Sequence, residues 1–191
     1  MSNHASEVRI TQPAWLPDAV DWQRRYGTDE EKVRLAIALA HANVDRETGG
    51  PFGAAIFQIP SGRVVAVGVN SVVRLRNSAL HGEMIAFMLA QQRLQSLSLA
   101  APGLPAHELA TSAEPCAMCL GATLWSGVKR VVFGAAREDA EALGFDEGPV
   151  FPESYRYLRE RGIEIVGGVL REEARAVLQM YQRRGGPIYN G

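Results

Sequence analysis

Apolar residues recur along this chain with two different periods, and the switches between them mark out alternating elements. Thr28 followed by Glu31 is a capping-box pair, and Val33, Ile37 and Ala40 then recur at helical spacing, which predicts a first helix over about 29–45. Gly49-Gly50-Pro51-Phe52-Gly53 breaks it. Two short apolar runs, 54–59 and 63–69, flank Pro60-Ser61-Gly62 and read as a β-hairpin. A second main helix is predicted from His81 through Ile85, Met88 and Leu89 to about 94, followed by a Ser-, Ala- and Pro-rich connection over 95–107. Then come a short strand at 108–112, a helix through Cys119 ending near Gly127, a buried-type strand at 129–134 and a short helix at 137–143. A last strand is predicted at 163–167, and a terminal amphipathic helix over 171–184 carries Ala174, Val177, Leu178 and Tyr181 on one side. Helices and strands alternating after an opening hairpin predict an α/β fold, a central sheet with helices on both faces.

The ends fall outside this alternation. Residues 1–27 are mixed and proline-punctuated and are predicted to form an arm anchored by Trp15, and 185–191 form a tail. A chain of 191 residues, 47% hydrophobic, suits one well-packed domain spanning 1–191. A formal net charge of −1 supplies no attraction to nucleic acid or an anionic membrane, so a small, weakly polar substrate is expected instead. No apolar run approaches membrane-spanning length, and residues 1–10 have no apolar signal core, so the cytoplasm is the expected location.

Candidate chemistry lies at the heads of two helices. Cys116 and Cys119 are the only cysteines, and their spacing puts both on one face of a helical turn. With His81 they offer a zinc ion two thiolates and an imidazole, and three protein ligands are the number that leaves a fourth position for water. Two thiolates offset the charge of the ion, so ionising that water needs a base, and Glu83 lies two residues from His81. A redox dithiol is the competing reading of Cys116 and Cys119. His41 stands apart from other ligand types and reads as an ordinary helix residue, and Met84 and Met88 read as core. Asn70, at a strand exit, admits a turn role or a bond to a base edge. Asp146 and Glu147, between Gly144 and Gly148, admit a solvated surface or a site role.

The His81-Gly82-Glu83 and Pro115-Cys116-Ala117-Met118-Cys119 segments match the signature of zinc-dependent base deaminases. Together with Pro51-Phe52-Gly53-Ala54-Ala55 and Val132-Phe133-Gly134-Ala135, they resemble the cytidine deaminase-like superfamily, in its branch of guanine, cytosine and transfer-RNA adenosine deaminases. That resemblance implies a three-layer α/β/α sandwich with a five-stranded mixed sheet, a Zn2+ cofactor on His81, Cys116 and Cys119, and a homodimer. Gly144-Phe145-Asp146-Glu147 and the aromatic tail look most like bacterial guanine deaminases. The implied reaction is guanine to xanthine and ammonia, with ammeline, cytosine and transfer-RNA adenosine as alternative substrates. Glu83 and Glu147 are then the catalytic pair. Asn70, Phe52, Gly82 and Asp146 are expected to contact the base, and Tyr189 to close an active site, in its own chain or by exchange in its partner's. Gly82 departs from the family's usual alanine, which is expected to alter the fit of the base against the backbone there.

Overall fold

In a computed structural model, residues 7–190 are described; the first six residues of the expected arm and Gly191 lie outside them. Five strands form one mixed sheet in the order β2-β1-β3-β4-β5. They are β1 (Gly53–Gln58), β2 (Val64–Val69), β3 (His107–Ala113), β4 (Arg130–Ala135) and β5 (Glu164–Val166). β1 runs antiparallel to β2 and β3, whereas β3, β4 and β5 are parallel. The predicted hairpin is present, with one irregularity: Ile56 faces Ala66 and Phe57 faces Val64, so Val65 bulges from β2.

Side chains alternate across the sheet and sort into two cores. Ala55, Phe57, Val67, Ala110 and Val132 pack with helices α1 (Asp29–Asp45) and α7 (Arg171–Arg183) on one face. Ala54, Ile56, Ala66, Leu109 and Val131 pack with α3 (Gly82–Leu94), α4 (Ala117–Ser126) and α6 (Pro152–Glu160) on the other. The result is the expected three-layer α/β/α sandwich. Two helices lie where no element was predicted, the single turn α2 (Val72–Leu75) and α6, and α5 (Arg137–Glu141) is shorter than the predicted 137–143. Helix α6 buries only Leu158 fully, so it leaves almost no apolar period; Pro152 at its first turn and Ser154 Oγ, which accepts from Phe151 N at 3.3 Å, start it instead.

The capping box predicted for α1 forms, with Thr28 accepting from Glu31 N and Glu31 accepting in return. Trp15 bonds Thr48 Oγ1 at 3.0 Å under the guanidinium of Arg46, and Leu16, Val20 and Tyr26 bury alongside it in the α1 core. His41 is exposed on α1, as its ordinary reading requires.

One ion-pair network crosses the sheet. Glu108, fully buried on β3, lies 2.6 Å from Lys32 Nζ, a close pair without hydrogen-bond alignment, and accepts from Arg130 at 3.0 Å. Arg130 also holds Asp29 through paired bonds of 2.6 and 2.7 Å, which keeps the Asp29 carboxyl below its ordinary value. Glu108→Ala strands buried Lys32 without a counter-charge, an expected loss of about 3 kcal/mol. Chemical denaturation should register that loss, and a change below about 1 kcal/mol would show that Glu108 does not anchor the helix to the sheet.

Candidate active site

Two helix N-termini meet beyond the carboxyl ends of β3 and β4. His81 is the N-cap of α3 and Cys116 the N-cap of α4, so the expectation that these segments open helices holds with each residue one position outside its helix. His81 Nδ1 lies 3.5 Å from Cys116 Sγ and 3.7 Å from Cys119 Sγ. All three ligand atoms fall within 4.8 Å of one another, the one such cluster among the described residues. Tetrahedral zinc with ordinary bond lengths separates sulfur and nitrogen by about 3.5 Å, so these donors fit the ion both in spacing and in kind. Peptide dipoles from both helices direct positive ends at the cluster, which favours thiolate there.

On the protein's own groups alone, the cysteines divide one proton unequally. The Cys119 thiol donates to Cys116, and His81 adds its bond and charge, bringing Cys116 down to about 4 against the cost of burial. Cys119 is pushed up by its role as that donor and by burial. A divalent ion deprotonates both. His81 is burdened by burial, but its bond to Cys116 and the nearby carboxylates hold its pKa above the ordinary value.

A cavity abuts the cluster, lined by Phe52, His81, Glu83, Glu114, Cys116, Glu147, Tyr189 and Asn190. Burial raises Glu83 to about 7, assisted by charge on Cys116 and opposed by His81. Burial raises Glu147 to about 8, assisted by charge on Cys116 and Glu83 and opposed by His81. Both carboxyl groups can therefore hold or release a proton near neutrality, the condition for general acid-base work. Only about 10 Å³ is open to water centres, space for roughly one water molecule. Tyr189 and Asn190 of the tail form part of the cavity wall.

The tail seats on glycine and aromatic surfaces. Phe145 meets Phe52 and Tyr189 edge-on, each at 5.1 Å, and stacks on Tyr181 at 6.1 Å. Asn190 exchanges two bonds with the Asp146 backbone, at 2.8 and 3.2 Å. A methyl on Gly50 would stand 2.3 Å from Tyr189 Oη, and one on Gly49 2.0 Å from the Asn70 carbonyl, so the Gly-Gly pair leaves room for both. Asn70 is fully buried; its Oδ1 accepts from Val72 N at 3.3 Å, and its Nδ2 has no partner.

Of the residues singled out in sequence, His81, Cys116, Cys119, Glu83, Glu147, Phe52 and Tyr189 come together at this cavity. Asp146 does not: it is exposed, and its carboxylate accepts from Gly148 N at 2.8 Å, because the tight turn needs that bond. Nor does the missing methyl of Gly82 face the cavity. It would stand 3.2 Å from Gly68 O and 3.3 Å from Phe52 O, so an alanine there would press helix α3 against the sheet rather than line the pocket. Glu114 and Asn190 line the cavity but carried no assigned role in the sequence. Glu114 was visible as an acidic residue abutting Pro115, whereas nothing local marks Asn190.

Residues 27–135 match the family described as the cytidine and deoxycytidylate deaminase zinc-binding region. A guanine deaminase from Bacillus subtilis is 35% identical over 143 residues, covering 75% of this chain and 87% of its own. The solved structure of a guanine deaminase from Nitrosomonas europaea shares 42% identity and superposes with a TM-score of 0.89, covering 94% of this chain and 98% of that one. A transfer-RNA-specific adenosine deaminase from Haemophilus influenzae is 30% identical over 164 residues, covering 82% and 84%. The family match over more than half of the chain and the relative at 35% identity agree with the geometry of the donor cluster: this chain is a member of the cytidine and deoxycytidylate deaminase zinc-binding family.

Proposed function

We propose that the chain hydrolyses guanine to xanthine and ammonia, with His81, Cys116 and Cys119 holding zinc. The observation that carries this reading is the burial of two carboxyl groups, Glu83 and Glu147, beside the metal-ligand cluster. The resident zinc supplies Lewis acidity, which brings the ionisation of water from about 15.7 toward neutrality. Glu83 takes a proton from the attacking water and passes it to a ring nitrogen. Glu147, protonated near neutrality, gives its proton to the amino group, so that nitrogen leaves as ammonia rather than as an amide anion; Glu83 takes the proton left on the added oxygen as the carbonyl forms, and one proton passed back to Glu147 restores the starting state. Asn70 holds the base edge: an unpartnered buried amide costs about 1–3 kcal/mol, and a substrate acceptor would recover it. Phe52 and Tyr189 cover the flat faces of the base, and the backbone N–H groups near Gly82 and Cys116 steady developing charge.

The higher identity of the guanine deaminases, 35% and 42% against 30% for the transfer-RNA adenosine deaminase, supports guanine over adenosine in transfer RNA, and the net charge of −1 offers no general attraction to a polyanion. The protein acts as a homodimer in the cytoplasm, in purine catabolism. Support for self-association is the exposed apolar surface of α4 and its neighbours, where Trp125 is 77%, Phe151 57% and Tyr157 45% exposed. Among the described residues no helix is long and apolar enough to cross a membrane.

Ammonia release by zinc-loaded protein should be fastest with guanine in a panel of guanine, adenine, cytosine, their nucleosides and ammeline. Faster release from any other member would replace guanine as the substrate. Glu83→Ala should retain zinc yet lose at least about 100-fold in kcat, and retention of more than a hundredth of the activity would remove Glu83 as the base. Asn70→Ala should raise KM for guanine about tenfold, whereas an unchanged KM would leave Asn70 with its turn role alone. In elemental analysis Cys116→Ser should reduce bound zinc well below one ion per chain, and full occupancy would exclude that sulfur as a ligand.

A further inference from the structure

Glu114 directly follows β3, two residues before Cys116, and lines the cavity, yet its carboxylate is engaged by residues outside it. Oε2 accepts from the backbone N of Arg137 at 2.9 Å, and Oε1 accepts from the hydroxyl of Tyr155. Arg137 is the first residue of α5 and Tyr155 belongs to α6, the two helices that flank the segment carrying Glu147. Arg137 also reaches Val150, its Nη1 donating to the carbonyl at 2.5 Å. One carboxylate therefore ties both stems of that segment to the residue adjoining the Pro115-Cys116 turn.

This arrangement bears on Glu147 because nothing on the side chain fixes it. Burial and neighbouring charges act on its carboxyl group, but no hydrogen bond does, among the described residues. Its position depends on the backbone, where the Glu147 carbonyl accepts from Ala117 N at 2.9 Å at the start of α4. The segment is held by this internal bond, by the two bonds between Asn190 and the Asp146 backbone, by buried Phe145 and by its two stems, and the stem at Tyr155 is the one of these restraints that Glu114 shares with the metal-ligand turn.

We propose that Glu114 is a positioning residue: through Tyr155 and Arg137 it holds the 142–151 segment so that the Glu147 carboxyl group stays beside the His81, Cys116 and Cys119 cluster. Tyr155→Phe keeps the ring in place and removes one of the two ties. The kinetic arm of the test rests on the guanine reading above; the exchange arm does not.

In the full-length zinc-loaded protein, Tyr155→Phe is expected to lower kcat for guanine about 10–100-fold, the scale of an ångström-level misplacement, with KM within about twofold and zinc content unchanged. Added to Glu147→Gln, it should cost nothing further, because the residue through which it acts is already disabled. Hydrogen exchange at the Ala117 amide, which bonds the Glu147 carbonyl, should quicken about tenfold as the segment opens more often. Glu114→Gln, which keeps an acceptor oxygen, should lose less than Glu114→Ala. An unchanged kcat, an equal further loss in the Glu147→Gln background, or unchanged exchange at Ala117 would each overturn the positioning role. Should the wild type release no ammonia from guanine, the substrate reading fails, while exchange at Ala117 still decides whether Tyr155 and Glu114 hold the segment.

Discussion

Three donor atoms from two helices must fall within 4.8 Å of one another, although 35 residues of chain separate His81 from Cys116. That requirement governs much of the fold. His81 stands at the head of α3, packed against β1 and β2, while Cys116 follows directly from β3. The two meet because β1 lies between β2 and β3, so a hairpin and a parallel crossover deliver both helix N-termini to the same side of one sheet. Close approach at the sheet is part of the same constraint: a methyl on Gly68 would stand 2.1 Å from the Gly82 carbonyl, so β2 admits α3 only because it carries glycine there. A rigid ion pair network around Glu108 and Arg130 then fixes α1 to β3 and β4, at the opposite end of β3 from the cysteines.

Burial near this cluster does chemical as well as structural duty. Carboxyl groups in water give up their protons near pH 4, too readily to donate at neutrality. Removed from solvent and set beside a thiolate, Glu83 and Glu147 rise to about 7 and about 8. The same burial that costs stability brings both groups to where they can hold or release a proton near neutrality. Tyr189 and Asn190 leave the cavity room for about one water, which keeps bulk solvent away from these groups.

Periodicity made the sandwich legible. Helix α1, the hairpin, α3, β3, β4 and α7 all announce themselves by apolar spacing or a capping pair, and the structure has each of them within a few residues of its expected bounds. The metal donors were legible for a different reason: few residue types bind zinc, and this chain has only two cysteines. What stayed hidden depends on long-range placement. Helix α6 buries one side chain fully, so its apolar signal is weak, and with it the partner of Glu114 was invisible. Asp146 and Glu147 are adjacent and chemically alike; only the turn that sends the first to Gly148 N and the second into the cavity separates them. Phe145, the hub of the aromatic seat for the tail, looks in sequence like any loop phenylalanine.

At the centre of the account is a metal held by two sulfurs and one ring nitrogen, with a corner left free for reacting water. X-ray absorption at the zinc edge of the loaded protein measures that shell directly. The account predicts two sulfurs near about 2.3 Å, one imidazole nitrogen near about 2.0 Å and one further light atom that exchanges with added ligands. A shell containing a single sulfur, or two imidazoles closing the fourth position, would contradict it.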